Sequence, residues 1–274
     1  VFESASRTLA GPWKPVGSII ADVDGSRRAW PRWIEDSNGR RDGDFWGPDV
    51  HELPNGKFAA SYSAPCGAHR CVGIAWAGGP DGPWTHADKP FIAPANNGAG
   101  GGDSYDPNLL VTSAGHAYVY WVVPGRGVYV DAVDYDAGGR LSIKPGAKPT
   151  LVADRAKGQR GEGPYVVEHD GGYYEFYSTG SLLFDYHVGV RRGDAPDAPF
   201  TTEAPRSCTA TDISSRPAAT RSSRTRSADT TCSSTTPSSS RAAAAARVAT
   251  PSTETRSARA PTTRTAASRE SGRR

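Results

Sequence analysis

Over residues 1 to about 205, apolar and polar positions alternate with a period of two in short stretches, and no long stretch keeps helical spacing. Runs at Lys57 to Ser63, Val72 to Ala77, Ala117 to Val123, Gly127 to Tyr135, Tyr165 to Glu168, Tyr173 to Ser178 and Tyr186 to Arg191 read as strands of four to eight residues. Between them lie turn clusters, among them Pro54-Asn55-Gly56, Ser113-Ala114-Gly115 and Asp170-Gly171-Gly172, in which Gly and Asn supply the backbone angles of tight reversals. The pattern predicts an all-β protein, a sandwich or a propeller.

An internal repeat separates these architectures. Phe45-Trp46-Gly47-Pro48-Asp49-Val50, Tyr105-Asp106-Pro107-Asn108-Leu109-Leu110 and Gly161-Glu162-Gly163-Pro164-Tyr165-Val166 each place an acid beside a proline, then an apolar strand, a glycine turn and an aromatic strand. Asp49 and Asp106 are 57 residues apart, and Asp106 and Glu162 are 56 apart. Gly-Pro-Trp recurs at 11 to 13 and 82 to 84, with Ala198-Pro199-Phe200-Thr201 in the corresponding later place. Such a period, with four strands per unit, predicts propeller blades. The innermost strand of each blade lines the axis, so Asp49, Asp106 and Glu162 are expected to face a common funnel, where repulsion and partial burial separate their protonation behaviour for acid and base work. For any one of these acids alone, starting a strand or capping a turn is the simpler role.

Composition changes the picture at one place. Residues 206 to 274 hold 15 Ser, 14 Thr, 14 Ala and 13 Arg, with no aromatic residue, and carry a net charge of +9 against −6 for the rest. The mildly basic balance of +3 therefore belongs to this segment. The scattered Arg residues lack the Lys and aromatics of a nucleic-acid arm, so no nucleic-acid partner is expected. No run of 18 apolar residues occurs, so no membrane-spanning helix is expected. The absence of Met from all 274 residues, with no basic-then-apolar leader near Val1, points to a processed or partial chain.

In order and spacing, FWGPDV, YDPNLL and GEGPYVV followed by GGYYEFYSTG resemble glycoside hydrolase family 43, the five-bladed propellers that cleave arabinose and xylose linkages of plant polysaccharides. GPWTHADKP at 82 to 90 and YHVGV at 186 to 190 are similar to further strands of that family, and the resemblance spans residues 1 to 205. It implies an incomplete propeller domain over 1–205 and inversion by three carboxylates: a general base on the first blade, a pKa-modulating Asp on the third and a general acid Glu on the fourth. Asp106 takes the modulator position and Glu162 the acid position. Glu162 must hold a proton to give it to the leaving oxygen, and a negative Asp106 nearby favours that form. The base would stand about 6.5–9.5 Å across the ring to admit a water. Trp46 and Asp49 are expected to wall the sugar pocket, with a packed blade-core role as the alternative for Trp46.

One period before Asp49 falls ahead of Val1, which implies that the general base is not in this chain and that the chain is inactive as it stands. Asp22 and Asp24 read as solvated turn acids. One period after Glu162, a fifth blade would fall in 206–274, which offers only Ile213 and Val248 to bury and so predicts no strand. A disordered tail is the compositional reading. Out-of-frame translation of GC-rich DNA is preferred, because back-translation in a shifted frame gives a fifth-blade-like peptide with Pro-Gly-Gly-His at 220, 58 positions after Glu162. Cys66 and Cys71 flank a hairpin tip, as a disulfide or as two free core thiols, and the family's extracellular setting favours the bridge.

The six His residues show no metal-ligand spacing, and Gly98 to Gly102 lacks the Lys-Ser/Thr of a phosphate loop, so it reads as a flexible loop at the pocket rim. No Ser-x-Asp-x-Gly-x-x-Trp box of sialidase propellers is present. The expectation is a secreted, monomeric arabinosidase or arabinanase that acts on plant cell-wall polysaccharide and requires no cofactor; a calcium at the propeller axis would lack its fifth-blade His. The alternatives are a β-xylosidase and a catalytically dead, carbohydrate-binding propeller.

Overall fold

A computed structural model describes residues 2–3, 11–15, 17–20, 30–41, 44–154, 161–181, 183–203 and 208–209. Strands β1 (Phe2–Glu3) and β2 (Lys14–Pro15) form a small antiparallel pair. Three five-stranded sheets follow, each a four-stranded antiparallel meander with one short strand added. The first contains β4 (Trp46–Glu52), β5 (Phe58–Gly67), β6 (His69–Ala77) and β7 (Thr85–His86), with β3 (Glu35–Asp36) parallel to the far end of β5. The second contains β8 (Tyr105–Val111), β9 (Ala117–Val123), β10 (Gly127–Tyr135) and β11 (Leu141–Ile143), with β12 (Thr150–Asp154) also on β10. The third contains β13 (Glu162–His169), β14 (Gly172–Thr179), β15 (His187–Gly193) and β16 (Thr202–Glu203), with β17 (Cys208–Thr209) also on β15. These sheets have the four-stranded meander of propeller blades. The chain divides into two units, Val1–Thr235 and Thr236–Arg274, the second lying wholly outside the described residues.

Strand β17 corrects one expectation: backbone pairing at Cys208–Thr209 carries the third sheet past residue 205, since ladder hydrogen bonds require no apolar side chain. The disorder and frameshift readings of the remainder of 206–274 lie outside the described residues.

Alternation explains the packing. In β9, Val119, Trp121 and Val123 face a core shared with Val72 and Ile74 of the preceding sheet, while Tyr120 and Val122 face a core shared with Val166 and Phe200. The middle blade is buried on both faces, which is why its strand reads as an unbroken apolar run. In β5, Ala59 belongs to the first of these cores, and Ala60, Tyr62 and Ala64 pack with Ile19 and Ile34 on the blade's other face. Cys66 and Cys71 are joined in a disulfide across the β5–β6 hairpin.

The repeat is real, but its alignment differs from the one read by acids. Each inner strand carries a bulge, between Trp46 and Asp49, Tyr105 and Asn108, and Glu162 and Tyr165. The residue inside each bulge precedes a proline and has positive φ: Gly47 at 50°, Asp106 at 50° and Gly163 at 57°. Trp46, Tyr105 and Glu162 are therefore equivalent, as are Gly47, Asp106 and Gly163, and Asp49, Asn108 and Tyr165. Asp49 is not the counterpart of Asp106 or Glu162. A one-residue slip sends a strand side chain to the opposite face, so spacing of acids alone misassigns it.

Candidate active site

Asp106 and Glu162 enter the site from the bulged starts of adjacent inner strands. The Asp106 N–H donates to Ser63 Oγ at 2.9 Å, which ties this bulge to β5 of the preceding blade. Its Oδ2 accepts the Gly163 N–H of the following blade at 2.9 Å. Burial raises the Asp106 pKa, and the negative charge of Glu162 adds to the rise, against the lowering effects of the Gly163 N–H and the Arg70 charge. Glu162 Oε2 accepts a hydrogen bond from the Tyr186 hydroxyl at 3.3 Å. The two expected carboxylates thus meet in one electrostatically linked site.

Space around Asp106 is restricted. A Cβ placed on Gly47 would lie 2.8 Å from Asp106 Oδ1, and φ at Gly47 is positive, so glycine meets both demands of this position. Ahead of the bulge, the Gly98 to Gly102 loop wraps around fully buried Asn97. Asn97 Oδ1 accepts the Ala99 N–H at 3.0 Å, its Nδ2 donates to the Gly101 carbonyl at 2.9 Å, and its own carbonyl accepts the Trp121 indole N–H at 3.2 Å. The glycine run expected as a flexible rim is an anchored approach to Asp106.

Trp46, 45% exposed, stands edge-on to Tyr105 with ring centroids 6.3 Å apart. The Arg70 guanidinium carbon lies 3.1 Å from the Trp46 ring centroid. Arg70 donates to the Asp44 carbonyl at 2.9 Å and pairs with the Asp44 carboxylate, while Trp46 Nε1 donates to Asp44 Oδ1 at 2.7 Å. One ring face of Trp46 is thereby given to a cation, and its orientation is fixed by the same acid.

Asp49 is a correction to the expected pocket wall. Its Oδ2 accepts the Asn108 side-chain N–H at 2.9 Å and the Leu109 backbone N–H at 2.8 Å, both from the next blade, and His51 Nε2 lies 3.2 Å away. Burial opposes its ionisation, but His51 and these donors hold the pKa below the usual value; reciprocally, Asp49 raises His51 against the effect of burial. Asn108 repeats the arrangement one blade on, its Oδ1 accepting the Val166 N–H at 2.9 Å. This shared position joins inner strands to each other, so its side chain is turned to the seam between blades.

Arg70, Ser63 and Tyr186 are the site residues that sequence reasoning missed. Their positions beside the carboxylates come from pairing between distant segments, and only Tyr186, inside the YHVGV motif, carried a sequence signal. Asp22 and Asp24 lie outside the described residues. Among the described residues, no group of three His, Cys, Asp or Glu side chains could hold a metal ion.

A family model described as glycosyl hydrolases family 43 matches residues 5–228, running past residue 205 into the Ser/Thr/Ala/Arg-rich segment. The probable arabinan endo-1,5-alpha-L-arabinosidase C of Aspergillus flavus is 28% identical over 188 residues, covering 65% of this chain and 51% of that protein. The protein of the same name from Aspergillus oryzae matches to the same extent. The chain spans about half the length of these relatives. The fold is similar to the GH43_1 enzyme from Xanthomonas citri complexed with xylotriose, with a TM-score of 0.52 and 21% identity, covering 72% of this chain and 62% of that one. It is also similar to Cellvibrio cellulosa alpha-L-arabinanase complexed with arabinohexaose, with a TM-score of 0.50 and 16% identity over 65% of this chain and 62% of that one.

Proposed function

This chain belongs to glycosyl hydrolase family 43, and from that premise we propose that its funnel binds an arabinose-containing plant polysaccharide, with Glu162 as general acid and Asp106 as the carboxylate that tunes it. The linkage of Asp106 to Glu162 and to the Gly163 N–H carries this reading. A glycosidic bond breaks when the leaving oxygen receives a proton while a water attacks the opposite face of the sugar. Glu162 is the donor, and Tyr186 orients it through Oε2. Asp106, held by Gly163 and packed against Gly47, sets the charge beside that donor. Trp46 offers an aromatic wall against the sugar, its other face backed by Arg70. The arabinan preference rests on the two Aspergillus relatives. The disulfide between Cys66 and Cys71 supports secretion. We propose a monomer that requires no cofactor.

Turnover also needs a base to take the proton of the attacking water. Azide attacks without one and therefore isolates the contribution of Glu162. With arabinan oligosaccharides and azide, the expected product is the inverted glycosyl azide, formed about 10²–10⁴-fold more slowly by Glu162→Gln. Turnover that Glu162→Gln leaves unchanged overturns the assignment. Faster reaction on xylo-oligosaccharides selects the β-xylosidase reading, which the fold shared with the xylotriose-bound enzyme keeps in view. Saccharide binding without turnover in either protein selects a carbohydrate-binding propeller.

A further inference from the structure

The loop between β14 and β15 carries an apolar surface that no core uses. Leu183 and Phe184 are each 84% exposed, whereas the next most exposed large apolar residue among the described ones, Trp13, reaches 47%. Scattered surface apolar residues are ordinary, whereas these two side chains are adjacent and stand far out in solvent. The backbone beneath them is organised. Ser181 N–H donates to Asp185 Oδ1 at 2.6 Å, the Leu183 N–H to Ser181 Oγ at 3.4 Å, and the Phe184 and Asp185 N–H groups to the Ser181 carbonyl, each at 3.2 Å. Gly180, at φ 92°, closes the turn where a Cβ would collide with the Asp185 carbonyl.

This turn sits beside Glu162. Ser178, near the end of β14, pairs with Glu162 in the sheet, and Tyr186, two residues after Phe184, donates to the Glu162 carboxylate. A general acid stands next to the glycosidic oxygen that it protonates, so the sugar beyond that oxygen lies on the acid's side of the site. We propose that Leu183 and Phe184 form a platform for a pyranose or furanose ring on the leaving-group side of the scissile bond. The apolar C–H face of the sugar lies against Phe184, and its hydroxyls face water. This inference rests on the reading of Glu162 as general acid.

Calorimetric binding of arabinose, linear arabinohexaose and xylohexaose to the full chain tests it. Phe184→Ala is expected to weaken the preferred hexasaccharide about three- to tenfold and to leave arabinose unchanged, as loss of one aromatic contact outside the pocket would. Phe184→Trp is expected to keep the parent affinity. Because both side chains are solvent-exposed, these variants retain the parent's cooperative unfolding. Hexasaccharide affinity unchanged in Phe184→Ala overturns the platform alone. If Phe184→Ala leaves that affinity unchanged but shifts the chain to a smaller species in light scattering, the patch is a contact between chains instead. If the parent binds none of the three saccharides while Trp46→Ala behaves identically, the carbohydrate reading itself fails and the platform with it.

Discussion

At Gly47 a single added methyl group would meet the carboxylate of Asp106, 2.8 Å from Oδ1, on a backbone whose φ of 50° disfavours any side chain. Gly47→Ala is expected to cost about 1–2 kcal/mol for the left-handed conformation. It should also displace Asp106, so that saccharide affinity falls together with the unfolding temperature; loss of stability with affinity intact would place Asp106 outside the binding funnel. Arg70 acts on the same carboxylate through charge. Its guanidinium lowers the Asp106 pKa against the effects of burial and Glu162. Arg70→Leu should therefore shift the Asp106 titration upward, which carbon-detected NMR of the side-chain carboxyl reads directly, and an unshifted titration would remove Arg70 from the site's electrostatics. The resemblance of YDPN and GEGP to family motifs pointed to Asp106 and Glu162 in the sequence. Arg70 was not legible, because its role depends on β6 passing beside a bulge more than thirty residues further along the chain.

Between elements, the position shared by Asp49 and Asn108 fastens each inner strand to the next through the Leu109 and Val166 N–H groups. Asp49→Ala leaves a buried N–H without its acceptor, at an expected cost of about 1–3 kcal/mol in urea unfolding. Saccharide affinity should change by less than about twofold, since the side chain faces the seam; a large loss of affinity with stability preserved would return Asp49 to the pocket wall. The strands themselves were readable from alternation, and β9 shows why: its two apolar faces belong to two cores. The register of the bulges was not readable, because an inserted residue changes which side chain faces the funnel without changing the composition of the strand.

At the scale of the whole molecule, stability follows the protons that the fold retains. Glu175, buried with neither carboxyl oxygen hydrogen-bonded among the described residues and Arg191 Nη1 3.8 Å away, has its pKa pushed up to about 7, burial outweighing the Arg191 charge. Its negative charge also bears on Tyr120 across the seam between the sheets that carry Asp106 and Glu162. A raised folded pKa gives stability that is complete below the ordinary carboxyl value of 4.5 and is lost as pH rises toward about 7. Asp106 acts in the same direction, and His51, also raised, loses its contribution as pH rises through its folded value. Asp49, lowered, loses its contribution only as pH falls below 3.8. The unfolding temperature is therefore expected to be higher near pH 5 than near pH 8. Glu175→Gln should raise it at pH 8 with little change at pH 5; an equal effect at both would remove Glu175 as the source. By itself the sequence determined the strands, the presence of a repeat and the family, because alternation, turn residues and short motifs are local properties of the chain. Only the tertiary structure decided that Asp49 joins blades, that Arg70 and Tyr186 attend the carboxylates, and that Glu175 is buried beside Arg191. Each of these depends on which face a strand presents and on partners brought from distant segments, and pairing register sets both.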